Sequence, residues 1–256
     1  MLFVGAAPGN AGGKGGGDMG AHATRIPFGG DIAGANLDVL LAAAGLTRDD
    51  VFIVAALNRL PDAGGGEPTL REMSEPVGDY PSSVHLLRDT MLASHPRVLV
   101  ALGNVGLRST FAAARLESDA ARAKLPLPSL DALKKAGLER GRAAPWPDAF
   151  PPDRAFAEAW GDGALPHVLW LTHPSAQNMS PYARTDTLFH TRMTEARDAL
   201  RAAVRDVLGR KAPPSRASVP LDGDGRTDSI YELPEWRDAI GPRHRALDDL
   251  WRAKGV

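Results

Sequence analysis

Four short apolar runs, each followed by a stretch of helical spacing, limit the architectures open to this chain more than any other feature. They cover residues 2–4, 51–57, 97–102 and 167–172, and each is closed by glycine, proline or a polar residue. Strands buried on both faces read this way, as short continuous apolar segments bounded by turn residues. Between the first two runs, Leu37, Leu40, Leu41 and Ala44 share one face of a helix over about 35–44, with Gly45 as its stop. A second helix is expected over 81–94, with Val84, Leu87, Met91 and Leu92 inward, and a third from about Asn104. Ser180-Pro181 reads as the cap and first residue of a fourth, in which Met193, Ala196, Leu200, Val204 and Leu208 keep helical spacing up to Gly209. The alternation predicts a three-layer α/β/α sandwich around a central, mostly parallel four-stranded sheet. Residues 117–163 read as an insert of short helices and proline-rich loop. Pro213-Pro214-Ser215 opens a linker, so the domain is expected over 1–211 and a polar tail over 212–256.

A chain of 256 residues can bury a substantial core. It has no cysteine, which excludes disulfides, thiolate catalysis and cysteine-held zinc or iron–sulfur clusters, and which fits a reducing, cytoplasmic setting. Met1 leads straight into a strand pattern with no basic segment, so no secretory leader is expected. No stretch approaches the roughly 20 apolar residues of a membrane helix. Seven histidines stand without metal-ligand spacing, so no metal is predicted. With a net charge of −1, the chain has no global pull toward nucleic acid, and any such binding must use a local basic patch.

Two loops follow strand candidates directly. Gly5-Ala6-Ala7-Pro8-Gly9-Asn10 leaves the first run, and His173-Pro174-Ser175-Ala176-Gln177-Asn178 leaves the last. In an open α/β sheet, loops at the carboxyl ends of parallel strands converge on one crevice, so the two are expected to share a site. The run Gly12-Gly13-Lys14-Gly15-Gly16-Gly17 does not have phosphate-loop spacing. A loop ending at Gly13-Lys14 would need glycine at Pro8 and Ser or Thr at Gly15, so this reads as a flexible loop. Asp222-Gly223-Asp224-Gly225 fails as a calcium loop, because Arg226 and Thr227 stand where a ligand and the turn glycine belong.

In Arg25-Ile26-Pro27-Phe28-Gly29-Gly30-Asp31-Ile32-Ala33-Gly34, proline and glycines force an irregular backbone that presents Phe28 and Asp31 just before a helix. Taken alone, Phe28 reads more readily as a core residue, and Asp31 as a helix cap, than as ligand-facing groups. His173 has the same two readings. It is either structural, or an imidazole held by Pro174 at a fixed angle to the crevice and able to steady charge on a ligand oxygen.

Together these segments resemble the uracil-DNA glycosylase superfamily, and most closely its fourth and fifth, bacterial thermostable families. The 5–9 loop is similar to the Gly-x-x-Pro first motif. Residues 25–34 with Leu37-Asp38 are similar to Gly-Arg-Pro-Phe-x-Gly-x-x-Gly-x-x-Leu-Asp, and His173-Pro174-Ser175 is similar to the second motif, continued by Gln177-Asn178. The resemblance implies hydrolysis of the N-glycosidic bond of uracil, or another deaminated base, flipped out of DNA for base excision repair.

By position, the resemblance implies that Asp31 and His173 are catalytic, one on water and the other on the leaving base. The base pocket would comprise Gly5, Ala6, Ala7, Pro8, Gly9, Asn10, Phe28, Asn58, Ser175 and Asn178, with Phe28 stacking. DNA would be met by Lys14, Arg25, Gln177, Met179 and Arg184, with Gln177 or Met179 filling the vacated space. Where members with strong uracil activity carry an acidic residue in the first motif, this chain has Ala6-Ala7. The asparagine that reads uracil falls at Ala55, with Asn58 the nearest substitute. A purine such as hypoxanthine is therefore a second candidate substrate. The four-cysteine cluster of those families is impossible here, and no cofactor is expected. Beside the monomeric, monofunctional glycosylase stand a catalytically weakened DNA- or nucleotide-binding member of the same fold and an enzyme acting on free nucleotides. The tail is the expected place for a repair-protein partner.

Overall fold

The apolar runs form four parallel strands, β1 (Leu2–Gly5), β2 (Phe52–Ala55), β3 (Val98–Leu102) and β5 (His167–Leu171). This is a computed structural model, described for residues 1–7, 28, 32–57, 61, 67–76, 82–116, 127–175, 177–179 and 186–211. The sheet has five strands, not four, in the order β2-β1-β3-β5-β4. The added strand, β4 (Ala143–Ala144), comes from the insert and lies antiparallel on the outer edge of β5. Two alanines beside a proline carry no alternating pattern. A run this short shows no period, and for that reason the sequence does not announce it.

The strands alternate cleanly between two faces. Leu2, Val4, Leu99, Ala101, Val168 and Trp170 point to one core, and Phe3, Val98, Val100, Leu102, Leu169 and Leu171 to the other. Helices α1 (Ile32–Ala43) and α7 (Leu188–Asp206) cover the second face. Helices α3 (Ser83–Ser94), α4 (Gly103–Ala113) and the insert helices α5 (Leu130–Lys135) and α6 (Arg154–Trp160) cover the first. The inward positions expected of α1, Leu37, Leu40, Leu41 and Ala44, are all buried. Each such leucine contributes about 1.5–3 kcal/mol through removal from water. Gly106 of α4 allows this helix to lie directly on β1, since a methyl there would run into the Val4 carbonyl oxygen.

Helix α7 starts at Leu188, not at Pro181. Its cap is Thr187, whose hydroxyl accepts from the His190 N–H. The earlier Ser-Pro signal lies outside the described residues. The first inward apolar residue of the periodic stripe is Met193, so an earlier start would have added turns with little to bury. A short helix, α2 (Leu70–Ser74), also escaped the reading, although Thr69 and Glu72 form a capping box that a sequence can display. The insert is tied down at Asp153. This residue caps α6 through the Phe156 N–H and binds Arg88 of α3 with both carboxylate oxygens, at 2.6 and 2.9 Å. No helix among the described residues is long and apolar enough to cross a membrane.

Candidate active site

The strand order places a reversal between β1 and β3, since the chain goes to one side for β2 and then returns to the other for β3 and β5. At the carboxyl ends of strands flanking such a reversal, the outgoing loops diverge and leave a crevice, which is where open α/β sheets hold ligands. The loops after β1 and β5 both leave at this rim, because both strands run parallel to β3 between them.

On the β1 side, pairing with β2 continues past the strand, with the Ala56 and Leu57 N–H groups donating to the carbonyls of Gly5 and Ala6 at 2.9 Å each. This fixes the backbone of the first motif up to Ala6. Gly5 has no side chain, and the far edge of the Phe28 ring uses that space: a methyl at Gly5 would stand 2.6 Å from Phe28 Cε2 and Cζ. Phe28 itself has φ of +55°, a left-handed conformation that a bulky residue adopts only when its surroundings impose it. One imposing group is Arg48, whose guanidinium donates to the Phe28 carbonyl at 2.8 Å while pairing with Asp38 of α1.

On the β5 side, the His173 side chain is packed against the start of α4. Gly103, at φ +79°, meets His173 so closely that an added methyl would lie 3.1 Å from His173 Cβ. The imidazole therefore stands beside the amino end of an 11-residue helix, whose partial positive charge favours negative charge arriving nearby. The loop beyond is braced from below. Buried Asn36 of α1 donates both amide protons, to the Pro174 carbonyl at 2.7 Å and the Met179 carbonyl at 3.0 Å. The Asn178 side chain donates to the Ser175 hydroxyl at 2.8 Å, and the Asn178 and Met179 N–H groups donate to the Ser175 carbonyl.

The two sides meet. The Phe28 and His173 rings lie with centroids 5.7 Å apart, tilted by 37°. A planar base sandwiched between two rings needs two stacking gaps, about 7 Å in all, so no base fits between them. The arrangement instead suits one that lies on Phe28 and turns its edge toward His173.

Of the expected site residues, Gly5, Ala6, Ala7, Phe28, His173, Ser175 and Asn178 are brought to this rim, and Gln177 stands exposed on the same loop. Met179 is a correction. Its side chain is fully buried in the core beneath the loop, among the residues of α1 and α7, so it has no free surface with which to enter DNA. Asp31, Pro8, Gly9, Asn10, Asn58, Lys14, Arg25 and Arg184 lie outside the described residues. Ala55, at the asparagine position, is buried at the end of β2 opposite Gly5. Three residues that shape the site were missed. Gly103 and Arg48 give no local signal. Asn36 does, because it is an amide in a mostly apolar helix, next to the inward-facing Leu37. Among the described residues, no group of three or more His, Asp or Glu side chains is placed to hold a metal ion.

Compared with known protein families, residues 1–197 match the family model described as the Uracil DNA glycosylase superfamily. No curated protein matches the chain.

Proposed function

The chain belongs to the uracil DNA glycosylase superfamily, and on that premise we propose that it hydrolyses the N-glycosidic bond of a deaminated base flipped out of DNA. In this reading the base stacks on Phe28 with its edge toward His173. The C1′–N bond breaks, and the departing base carries the bonding electrons as an anion. His173 donates a hydrogen bond to the carbonyl oxygen where that charge collects. Water adds to C1′, and Asp31 takes its proton. Gln177 fills the gap left in the duplex. The observation that carries the proposal is the approach of Phe28, from the segment after the first motif, to His173, from the second, above a glycine that leaves room for the ring.

Single-turnover assays on oligonucleotides carrying uracil, hypoxanthine or xanthine test it. Removing one well-placed donor to a developing oxyanion costs about 10²–10³-fold in rate, so His173→Ala should fall by that factor on whichever lesion is cleaved. Asp31→Ala should also fall. Baseline activity on every lesion, with DNA affinity retained, would favour the weakened binder. That second reading is supported by Ala6-Ala7, which leave the first motif without a carboxylate to help water.

A further inference from the structure

We propose that Arg140 and Arg192 form a phosphate clamp on the DNA backbone beside the flipped nucleotide, the first held at the start of α4 and the second at the His173 loop. The inference rests on the glycosylase reading for its ligand, and on geometry for its place.

Arg140 belongs to the insert. The Gly141 N–H donates to the Trp170 carbonyl at 2.8 Å, which holds this segment against the carboxyl half of β5. The Arg140 guanidinium lies 4.5 Å from the centre of the Trp170 ring and donates to the Asn104 side chain at 3.2 Å. Asn104 directly follows Gly103, the residue against which His173 packs, so this charge sits at the active-site rim. Arg192 belongs to the amino-terminal third of α7 and reaches the Asn178 carbonyl at 3.5 Å, within the His173 loop.

Neither arginine makes an ion pair among the described residues, whereas Arg88, Arg154 and Arg205 each have a carboxylate partner. Burial and the nearby charge of Arg192 both press Arg140 toward its neutral form, and Glu195 opposes them. Two cations held near each other repel, and an anion placed against both relieves that repulsion. A guanidinium fork suits phosphate oxygens, and stacking on Trp170 sets the orientation of one of the two. The clamp also supplies the local basic patch that a chain of net charge −1 needs in order to hold DNA.

The test is the salt dependence of duplex binding by the full chain, measured by fluorescence anisotropy with undamaged and lesion-bearing oligonucleotides. Each lost phosphate contact should lower the magnitude of the log K against log salt slope by about 0.9. Arg140→Gln and Arg192→Gln should each show that drop on both duplexes, and the double variant about twice as much. Arg140→Lys and Arg192→Lys keep the charge and should keep most of the slope. Arg154→Gln, an exposed arginine of the insert, should leave it unchanged. A double Gln variant that melts like wild type and retains the full slope overturns the clamp, even if base excision is observed. An arginine-dependent slope in a chain that excises no base supports the clamp and removes the glycosylase reading.

Discussion

At the scale of single residues, the site depends on two absences of a side chain. Gly5 makes room for Phe28, and Gly103 makes room for His173, so each aromatic group rests on bare backbone. Phe28 is held there in a conformation that costs a non-glycine residue about 1–3 kcal/mol, and the contacts of Arg48 help to maintain it. Gly5→Ala is the sharpest test of this arrangement. The new methyl cannot coexist with the ring, and since Gly5 lies in a strand of ordinary backbone conformation, the fold should survive while the ring moves. A displacement of about 1 Å in a positioning group can cost about 10²-fold in rate, so excision should fall by roughly that factor with little change in melting temperature. Single-turnover kinetics beside a thermal melt would show it. Retention of full activity would mean that Phe28 does not support the base.

At the scale of elements, α1 is a brace as well as a core helix. Its apolar stripe packs on the sheet, Asn36 holds the loop after β5, and Asp38 holds the arginine that fixes Phe28. One helix thus ties together the two halves of the site. Asn36→Ala would strand two buried carbonyls, and urea unfolding should report a loss of about 2–4 kcal/mol. Excision by the folded variant should fall as well, because the His173 loop loses its underside. A variant as stable as wild type would show that the loop does not need the amide. The elements differ in how far the sequence discloses them. Helices α1, α3 and α7 are legible because Leu37 with Leu41, Val84 with Leu87 and Met91, and Met193 with Ala196 and Leu200 repeat at helical spacing over a buried face. Strand β4 is not legible, since two alanines are too short a run to show an alternating pattern. The start of α7 is misread because both Ser180 and Thr187 are residue types able to cap a helix, and it is Thr187 that caps α7.

At the scale of the whole molecule, the sheet brings the site together. Residues 5 and 173 come to one rim only because β1, β3 and β5 run parallel and the order reverses between β1 and β3. The loop motifs and the strand alternation predicted that meeting. They did not predict that Met179 turns into the core, which follows from the Asn36 amide drawing the loop's far end inward. Nor did they predict Arg140 at the rim, since long-range placement of an insert leaves no local periodicity to read. The measurement that bears most directly on the account is a crystal structure of the chain bound to a duplex containing a tetrahydrofuran abasic-site analogue, which does not depend on the identity of the lesion. The extrahelical sugar should lie at the mouth of the crevice between Ala6-Ala7 and His173, with the flanking backbone against Arg140 and Arg192. A duplex docked at the amino-terminal rim of the sheet, or one in which the sugar stays within the stack, would contradict it.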